Sequence, residues 1–439
     1  MKVQLVQPCS SEQYSKLSGG RYQPLWALCL ATYLRQQTKE IDIEILDGEL
    51  IPQDELERRI DGDIIGISPT ILSYENSLRI ARLAPKTIMG GPHASALYKE
   101  ILTNRSEVDA IAIGDGEEAF VKYVLGEDKE KIPNLAFVNN ATITRNTNSD
   151  FDLEHAPIPD RSFIDMDLYF QNYKTNPTLN GTSRGATIYS QRGCSWRATS
   201  GGCIFCGRLF GGLRSRNPKD IWAEIKQLKE KYNVDFLWHE SDSFTSDKPW
   251  LEKLAREKPQ GISIPSMIFA RADQLDQETI DILKYIDVKK VFIGIESGDN
   301  GQLQRCNKGV SPKDNLRAAE LLAKNNLELL ASFVLGIPGE TEKTLSATRN
   351  HITELSQIAP LGLLAPNILM PIPGSRIYRM VLQHPQLGPK YKGKDILNLE
   401  ELTRDYVNNF CQVDYNRIQA FAREITQQSS SKTWAHGLK

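Results

Sequence analysis

The strongest constraint on the fold of this 439-residue chain is a repeated alternation of short β-rich runs with amphipathic stretches. The alternation occurs in two separate blocks. Strands that alternate with helices favour a parallel sheet that carries helices on its faces. The first block therefore predicts an open, doubly wound, Rossmann-like parallel sheet, and the second predicts a partial (β/α)6 barrel of the TIM type.

The blocks also predict the domain organisation. The β-rich runs of the first block are 3–7, 41–48, 63–70, 86–91 and 109–115, and those of the second are 186–193, 235–244, 263–273, 289–298, 327–338 and 362–374. Residues 133–184 are rich in Asn, Asp and Pro, which indicates a linker. We therefore predict domains over 1–132 and 185–375, joined by the linker 133–184 and followed by a helical C-terminal segment over 376–439.

Composition excludes several classes of protein. The chain has 53 Lys and Arg against 55 Asp and Glu, a net charge of −2, which argues against a globally basic nucleic-acid binder. Its longest apolar region, residues 24–34, is shorter than the roughly 18 residues that a membrane helix needs. The N-terminus lacks the apolar region of a signal peptide. We therefore expect a cytoplasmic protein without a membrane segment, in which cysteines are not paired as disulfides.

A short basic run keeps one weaker alternative open. Arg208, Arg214, Arg216 and Lys219 form a basic run just after the cysteines of residues 194–206, and such a run would suit an enzyme that modifies tRNA or another nucleic acid. A solvated protein face explains the same run equally well. A nucleic-acid partner is therefore not the expectation.

Three of the seven cysteines fall within thirteen residues, in a C-x8-C-x2-C pattern formed by Cys194, Cys203 and Cys206. They follow a predicted strand, at the end where barrel enzymes place their chemistry. Three thiolates can bind three irons of a [4Fe–4S] cluster and leave the fourth iron open. Zinc usually takes a fourth protein ligand, and no His or Cys occurs in the next 30 residues.

The other four cysteines, Cys9, Cys29, Cys306 and Cys411, are scattered singly along the chain. Cys29 lies inside an apolar helical stretch, where a free cysteine behaves as a small apolar residue. We expect core packing at Cys29 and no metal-binding role for the other three.

The segment RGC followed by CIFCG resembles the cluster loop of the radical S-adenosylmethionine superfamily. The resemblance extends over about residues 1–375 and is closest to the branch with an N-terminal cobalamin-binding domain. The usual loop has three residues between its first two cysteines, whereas this one has eight. The extra stretch ends in Gly201 and Gly202, so it can fold back and let Cys203 approach Cys194.

The order of motifs behind the loop also resembles this family. The polar residues of DFLWHESDSF match the second-strand contacts to the amino group of S-adenosylmethionine, and ARADQL and GIESG match the contacts to its carboxylate and ribose. FVLGIPGET matches the strand that passes the adenine. The implied S-adenosylmethionine contacts are Phe205, Glu240, Ser241, Asp242, Arg271, Glu296 and Gly336. Two structural alternatives stay open: the second strand ends in a loop before Glu240, or Arg271 and Glu296 form an ion pair.

The first block carries glycines at the predicted carboxyl ends of consecutive strands, where they allow a bulky ligand to approach. GGPHAS and GDGEE resemble the cobalamin-binding domain of the branch, and the implied contacts are Ser68, Thr70, Gly90, Gly91, Pro92, Gly114, Gly116 and Glu117. The cobalt-ligating motif Asp-x-His-x-x-Gly is absent, and His93 is expected to pack under the sheet. A degenerate domain that no longer binds cobalamin remains an alternative.

The resemblance implies an enzyme that reductively cleaves S-adenosylmethionine at a [4Fe–4S] cluster to make a 5′-deoxyadenosyl radical. With cobalamin as a further cofactor, it implies a cobalamin-dependent C-methyltransferase. The implied partners are a small-molecule or peptide substrate and an external one-electron donor of the flavodoxin or ferredoxin type. One alternative is a radical rearrangement, dehydration or epimerisation without methyl transfer; another is a non-catalytic regulatory module that binds cobalamin or an iron–sulfur cluster.

Overall fold

The computed structural model describes residues 1–10, 22–173, 184–208, 212–359 and 361–428. The chain divides into two compact units, and each is built around its own sheet. The first unit contains Met1–Asn172, Gly207–Phe210 and Ile372–Leu399, and the second contains Tyr173–Cys206, Gly211–Pro371 and Glu400–Lys439. The C-terminal segment predicted over 376–439 is therefore divided between the two units.

Seven described strands form the sheet of the first unit, in the order β2-β1-β3-β4-β5-β6-β7. Strands β1 to β5 are parallel, and β6 and β7 are added antiparallel at one edge. The order reverses at β1, which gives the topological switch point of a doubly wound sheet, as predicted. The strands are β1 Lys2–Gln7, β2 Asp42–Asp47, β3 Ile64–Ile67, β4 Thr87–Met89, β5 Ala110–Ala112, β6 Leu135–Asn139 and β7 Thr142–Arg145.

The helices of the first unit cover this sheet and bury its core. Val3 and Leu5 of β1 belong to the same apolar cluster as Leu34 of α1 and Phe120 of α6. The helices described before residue 174 are α1 Leu25–Gln37, α2 Gln53–Arg58, α3 Tyr74–Ala81, α4 Gly91–Ala96, α5 Tyr98–Asn104, α6 Glu117–Val124 and α7 Met166–Tyr173.

The start of the predicted linker differs from the expectation, because β6 and β7 lie within residues 133–184. The two strands are joined by the two-residue turn Asn140–Ala141, and both turn residues have positive φ, of 47° and 63°. A turn of this kind usually contains glycine, which is the sequence signal for a hairpin. Because that signal is absent and both strands are short, the sequence alone did not distinguish the hairpin from an irregular segment.

The second unit contains six parallel strands in the order β15-β14-β13-β12-β11-β8, and the described β8 and β15 do not pair. The barrel is therefore partial and open, as predicted. β9 and β10 form a separate antiparallel pair. The strands are β8 Gly185–Ile188, β9 Gln191–Arg192, β10 Arg214–Ser215, β11 Phe236–His239, β12 Ser266–Ala270, β13 Val288–Glu296, β14 Glu328–Leu335 and β15 Leu361–Ile368.

The helices between these strands have clear starting signals. Six of these helices begin after a residue whose side chain accepts a backbone N–H of the first turn, namely Asn217, Asp247, Asp276, Asp299, Ser311 and Thr341. Such caps replace hydrogen bonds that the first turn lacks. The helices described after residue 184 are α8 Ser195–Ser200, α9 Pro218–Tyr232, α10 Lys248–Arg256, α11 Gln277–Tyr285, α12 Asn300–Arg305, α13 Pro312–Lys324, α14 Glu342–Ile358, α15 Arg376–Gln383, α16 Gly388–Tyr391, α17 Leu399–Phe410 and α18 Tyr415–Gln428. Of these, α15 and α16 belong to the first unit.

Two further observations bear on the sequence analysis. In the part of the chain that the structure describes, no helix is long and apolar enough to span a membrane. The basic run after the cysteine loop does not form one solvated face, because the side chain of Arg216 is fully buried and lies 2.7 Å from the carboxylate of Glu224.

Candidate functional site

The cysteine loop folds its additional residues into a short helix. Cys194 is the residue before α8, and the helix ends at Gly201, where φ is +78°. Gly202 follows with φ of +77°, so two consecutive residues adopt a conformation that favours glycine. The chain then continues to Cys203 and Cys206. The backbone N–H of Cys206 donates to the Cys203 carbonyl at 3.2 Å. The two glycines thus turn the chain between the end of α8 and Cys203.

All three cysteines of the loop are free thiols and partly buried. Burial raises the pKa of the Cys203 thiol to about 11, Lys308 and Arg271 act in the opposite direction, and Glu296 adds to the rise. Among the described residues, no three His, Cys, Asp or Glu side chains are close enough together to hold a metal ion. The structure therefore places Lys308 and Arg271 near the thiol of Cys203, and in the described residues it does not bring the three sulfur atoms of the loop together.

This donor set fits an iron–sulfur cluster by its chemistry. Iron in such clusters is bound by thiolates, and three cysteines on one loop supply three of them. Nearby cations favour the deprotonated form that a metal requires. Cys306, for which we expected no metal-binding role, is buried beside the loop, and its carbonyl accepts the Ile204 N–H at 3.0 Å.

The predicted second-strand residues lie in a loop, because β11 ends at His239. The hydroxyl of Ser241 accepts the backbone N–H groups of Ser190 and Gln191 at 3.3 and 3.2 Å. The carboxylate of Asp242 accepts the Gly193 N–H at 2.9 Å, directly before Cys194. Two of the three residues therefore position the chain that leads into the cysteine loop, whereas Glu240 is exposed.

Arg271 and Glu296 lie at the ends of the neighbouring strands β12 and β13. Each of the two side chains pairs with a third residue. Arg271 donates to both carboxylate oxygens of Asp273, at 3.0 and 2.9 Å, and to the Lys308 carbonyl at 2.9 Å. Glu296 has φ of +63° and lies 2.8 Å from the Lys308 ammonium group. A non-glycine residue in this region costs about 1–3 kcal/mol, and such strain is concentrated at functional sites.

Gly336 and Phe205, the other two predicted contacts to S-adenosylmethionine, also lie in the second unit. Gly336 follows β14 with φ of +87°, and its N–H donates to the Glu340 carboxylate at 3.1 Å. Its carbonyl accepts the Tyr406 hydroxyl at 2.8 Å. Phe205 is partly buried within the cysteine loop. Sequence reasoning did not identify Lys308, because a lysine in a turn twelve residues beyond the strand end has no distinguishing pattern.

In the first unit, the predicted cobalamin contacts lie at one edge of the sheet. Ser68 follows β3, Gly90–Pro92 follow β4 and begin α4, and Gly114–Glu117 follow β5 and begin α6. Thr70, two residues beyond Ser68, hydrogen-bonds through its hydroxyl to Ser73 at 3.2 Å. Because β3, β4 and β5 are adjacent and parallel, their carboxyl ends meet at this edge.

At two of the glycines of this edge, a side chain would not clash with the rest of the protein. A Cβ atom added at Gly90 would meet no atom closer than 3.8 Å, and one at Gly116 none closer than 3.9 Å. Gly91, with φ of +77°, lies directly against the Ser68 hydroxyl. His93 is buried below this edge with its ring centroid 4.7 Å from that of Tyr74, and burial lowers its pKa to about 4. The glycine edge therefore fits the close approach of a large ligand such as cobalamin, because its glycines carry no side chains, and His93 is buried against Tyr74.

Two family models match the chain, and they match different blocks. The B12 binding domain matches residues 16–124, which contain the glycine edge. The Radical SAM superfamily matches residues 188–352, which contain the cysteine loop and the ends of β11 to β14.

Relatives of similar sequence extend this match. An uncharacterized methyltransferase of Pyrococcus horikoshii is 24% identical over 441 residues, which cover 94% of this chain and 92% of that protein. The anaerobic magnesium-protoporphyrin IX monomethyl ester cyclase of Rubrivivax gelatinosus is 24% identical over 371 residues, which cover 79% of this chain and 65% of that protein.

Among solved structures, the fold is similar to that of TsrM from Kitasatospora setae, a radical S-adenosylmethionine methyltransferase with cobalamin and a [4Fe–4S] cluster bound. The TM-score is 0.68 at 15% identity, over 87% of this chain and 78% of that one. The order of the two blocks and both family matches agree with the resemblance in the sequence motifs. The chain therefore combines a B12-binding domain over residues 16–124 with a radical S-adenosylmethionine domain over residues 188–352, which is the domain organisation of the radical S-adenosylmethionine branch with an N-terminal cobalamin-binding domain.

Proposed function

We propose that this protein is a cobalamin-dependent radical S-adenosylmethionine methyltransferase that methylates an unactivated carbon of a small-molecule substrate. The observation that carries the proposal is the glycine edge of the first unit, where Gly90, Gly91, Gly114 and Gly116 follow the neighbouring parallel strands β4 and β5 and place no side chain over the carboxyl ends of these strands. The methyltransferase relative, which matches over nearly its whole length, supports the same reaction class.

The residues of the second unit have the following proposed roles. Cys194, Cys203 and Cys206 bind the cluster, and Glu240, Ser241, Asp242, Arg271, Glu296, Gly336 and Phe205 bind S-adenosylmethionine. When bound, the cluster and S-adenosylmethionine supply a 5′-deoxyadenosyl radical. Arg271 suits a carboxylate because its planar guanidinium donates two parallel hydrogen bonds, as it does here to Asp273. An external flavodoxin- or ferredoxin-type protein is the proposed electron donor.

The proposal is tested by the products of anaerobic turnover with S-adenosylmethionine, a strong reductant, cobalamin and candidate substrates. Methyl transfer predicts both S-adenosylhomocysteine and 5′-deoxyadenosine, and the methyl group of labelled S-adenosylmethionine appears in the product. Protein prepared without cobalamin is the control, and we expect it to form no methylated product.

A second candidate is a radical reaction without methyl transfer, and the match to the cyclase relative favours it. This alternative predicts 5′-deoxyadenosine without S-adenosylhomocysteine and a product that has gained no methyl group. A non-catalytic module would cleave no S-adenosylmethionine under any reducing condition. The three outcomes are distinguished by the same chromatographic separation.

A further inference from the structure

A tight turn far along the chain holds the enlarged cysteine loop. This turn, Cys306–Gly309, follows α12 and is called the 306–309 turn below. Its first carbonyl, that of Cys306, accepts the N–H of Ile204 at 3.0 Å, within the CIFC segment itself. The turn therefore contacts the loop between Cys203 and Cys206.

The same turn also holds the additional residues of the loop. The indole N–H of Trp196, in α8, donates to the Asn307 carbonyl at 2.7 Å. The Asn307 side-chain amide donates in return to the carbonyls of Ser200 and Gly202, at 3.3 and 2.7 Å. These bonds fix both the start and the end of the short helix that fills the eight-residue spacing.

The Trp196 ring fits closely against this turn. Gly309 has φ of +73°, and a Cβ atom at this position would overlap the ring. The Arg271 guanidinium lies over the ring at 4.8 Å from its centroid and donates to the Lys308 carbonyl. The ring is therefore enclosed by the turn and by a residue that follows β12.

We propose that Trp196, Asn307 and Gly309 are positioning residues that hold the enlarged cysteine loop so that Cys194, Cys203 and Cys206 can bind one cluster. The proposal rests on the cluster assignment in the proposed function, but not on methyl transfer. A longer loop has more conformations to lose when its cysteines converge on one ligand. The bonds from the 306–309 turn restrict those conformations before the cluster is bound. Trp196 itself lies in the additional stretch, so one of the residues that hold this stretch in place is part of it.

The first test compares Gly309→Ala with Gly261→Ala. The two glycines have φ of +73° and +74°, so alanine is strained to the same extent at both, but Gly261 faces open space. After anaerobic cluster reconstitution, the rate of iron loss to a chelator and the electron paramagnetic resonance spectrum of the reduced cluster are recorded. We expect iron loss about tenfold faster and an altered spectrum for Gly309→Ala, the size typical of residues that orient metal ligands, and no change for Gly261→Ala.

A second pair covers the case in which Gly309→Ala does not fold. Trp196→Phe removes the indole N–H and keeps a ring, whereas Trp250→Phe removes an equivalent bond, of 2.7 Å to the Arg216 carbonyl, away from the loop. We expect faster iron loss only for Trp196→Phe. Wild-type iron retention and spectra in folded Trp196→Phe protein would overturn the proposal. If these cluster effects are found but no methylated product forms, the positioning role stands and the proposed function fails.

Discussion

The ammonium group of Lys308 lies 2.8 Å from the carboxylate of Glu296, and the two side chains are only 9% and 7% exposed. Burial opposes the charge on Lys308, but Glu296 and Cys203 together raise its pKa above the ordinary value. The pair thus places a charged lysine next to the cysteine loop, at a strand end where Glu296 already has a strained backbone. Neither residue is exposed enough for water to replace its partner.

Removal of one member of this pair should destabilise the protein strongly. We expect Glu296→Gln to lower the free energy of unfolding by about 3–5 kcal/mol, because Lys308 is left buried without its counter-ion. The double variant with Lys308→Met should lose less than the sum of the single losses. Urea unfolding near neutral pH measures the free energy of unfolding of the two single variants and of the double variant.

The pair Lys290–Glu328 is the matched control. Its atoms are 3.0 Å apart across neighbouring strands, but Glu328 is 37% exposed. We expect Glu328→Gln to cost about 0–1 kcal/mol, as for other solvent-accessible pairs. Equal losses at both sites would show that burial of Glu296 contributes nothing.

The cluster assignment predicts a sharp difference among the cysteines. Alanine at Cys194, Cys203 or Cys206 should remove most of the bound iron, because each change deletes one of three thiolates. Cys306 is a demanding control, since it is buried beside the same loop but has its thiol directed to the Leu303 carbonyl, at 3.4 Å. Cys306→Ala protein should keep its iron and sulfide. A Cys203→Ala protein with a full cluster would contradict the assignment.

Much of the fold could be predicted from the sequence because buried parallel strands are short, continuous apolar runs. The run predicted over 63–70 contains β3, Ile64–Ile67, and the run over 327–338 contains β14, Glu328–Leu335. The predictions extend too far at the carboxyl ends because the residues that follow each strand, 68–70 and 336–338, are uncharged and give no sharp signal for the strand end. The hairpin at Asn140–Ala141 was missed because its turn lacks glycine.

The site was predictable only where its residues are close in sequence or match a family motif. The bond between Trp196 and Asn307 joins residues 111 positions apart, and no local pattern indicates it. The same holds for Lys308, which reaches Glu296 from a turn after α12. Spacing identified the three thiols, but the residues that surround them depend on tertiary packing.

The cobalamin proposal predicts an effect at Gly91. We expect Gly91→Ala protein to retain much less cobalt than the parent, because the new Cβ overlaps the Ser68 hydroxyl at the glycine edge. Gly126→Ala is the control, since Gly126 has φ of +78° and nothing within 4 Å of the added atom. Both variants should lose about 1–2 kcal/mol of stability from backbone strain, so cobalt content separates the site effect. Equal cobalt in the two proteins would argue against a ligand at this edge.

Acid should destabilise the protein through His239. Burial lowers the pKa of this histidine to about 4, from an ordinary value of 6.5. Between pH 4 and pH 6.5 the unfolded chain binds more protons than the folded chain. The contribution of neutral His239 to the free energy of unfolding is therefore complete above pH 6.5 and is lost as the pH falls to 4. The loss is about 3 kcal/mol.

The contribution of His239 is isolated by comparison with a variant. His239→Asn keeps a polar group near Ser190, whose hydroxyl lies 3.1 Å from the histidine Nδ1 atom. Denaturant unfolding between pH 7 and pH 4 should show a smaller loss of stability for this variant than for the parent. Parallel pH profiles would mean that the histidine is protonated equally in the folded and unfolded states.

The most direct test of the whole account is a metal analysis of the wild-type protein, purified without oxygen after expression with cobalamin supplied. A radical S-adenosylmethionine methyltransferase of this branch predicts about four iron, four sulfide and one cobalt per chain. A full iron–sulfur complement without cobalt would contradict cobalamin-dependent methyl transfer and leave only the radical chemistry.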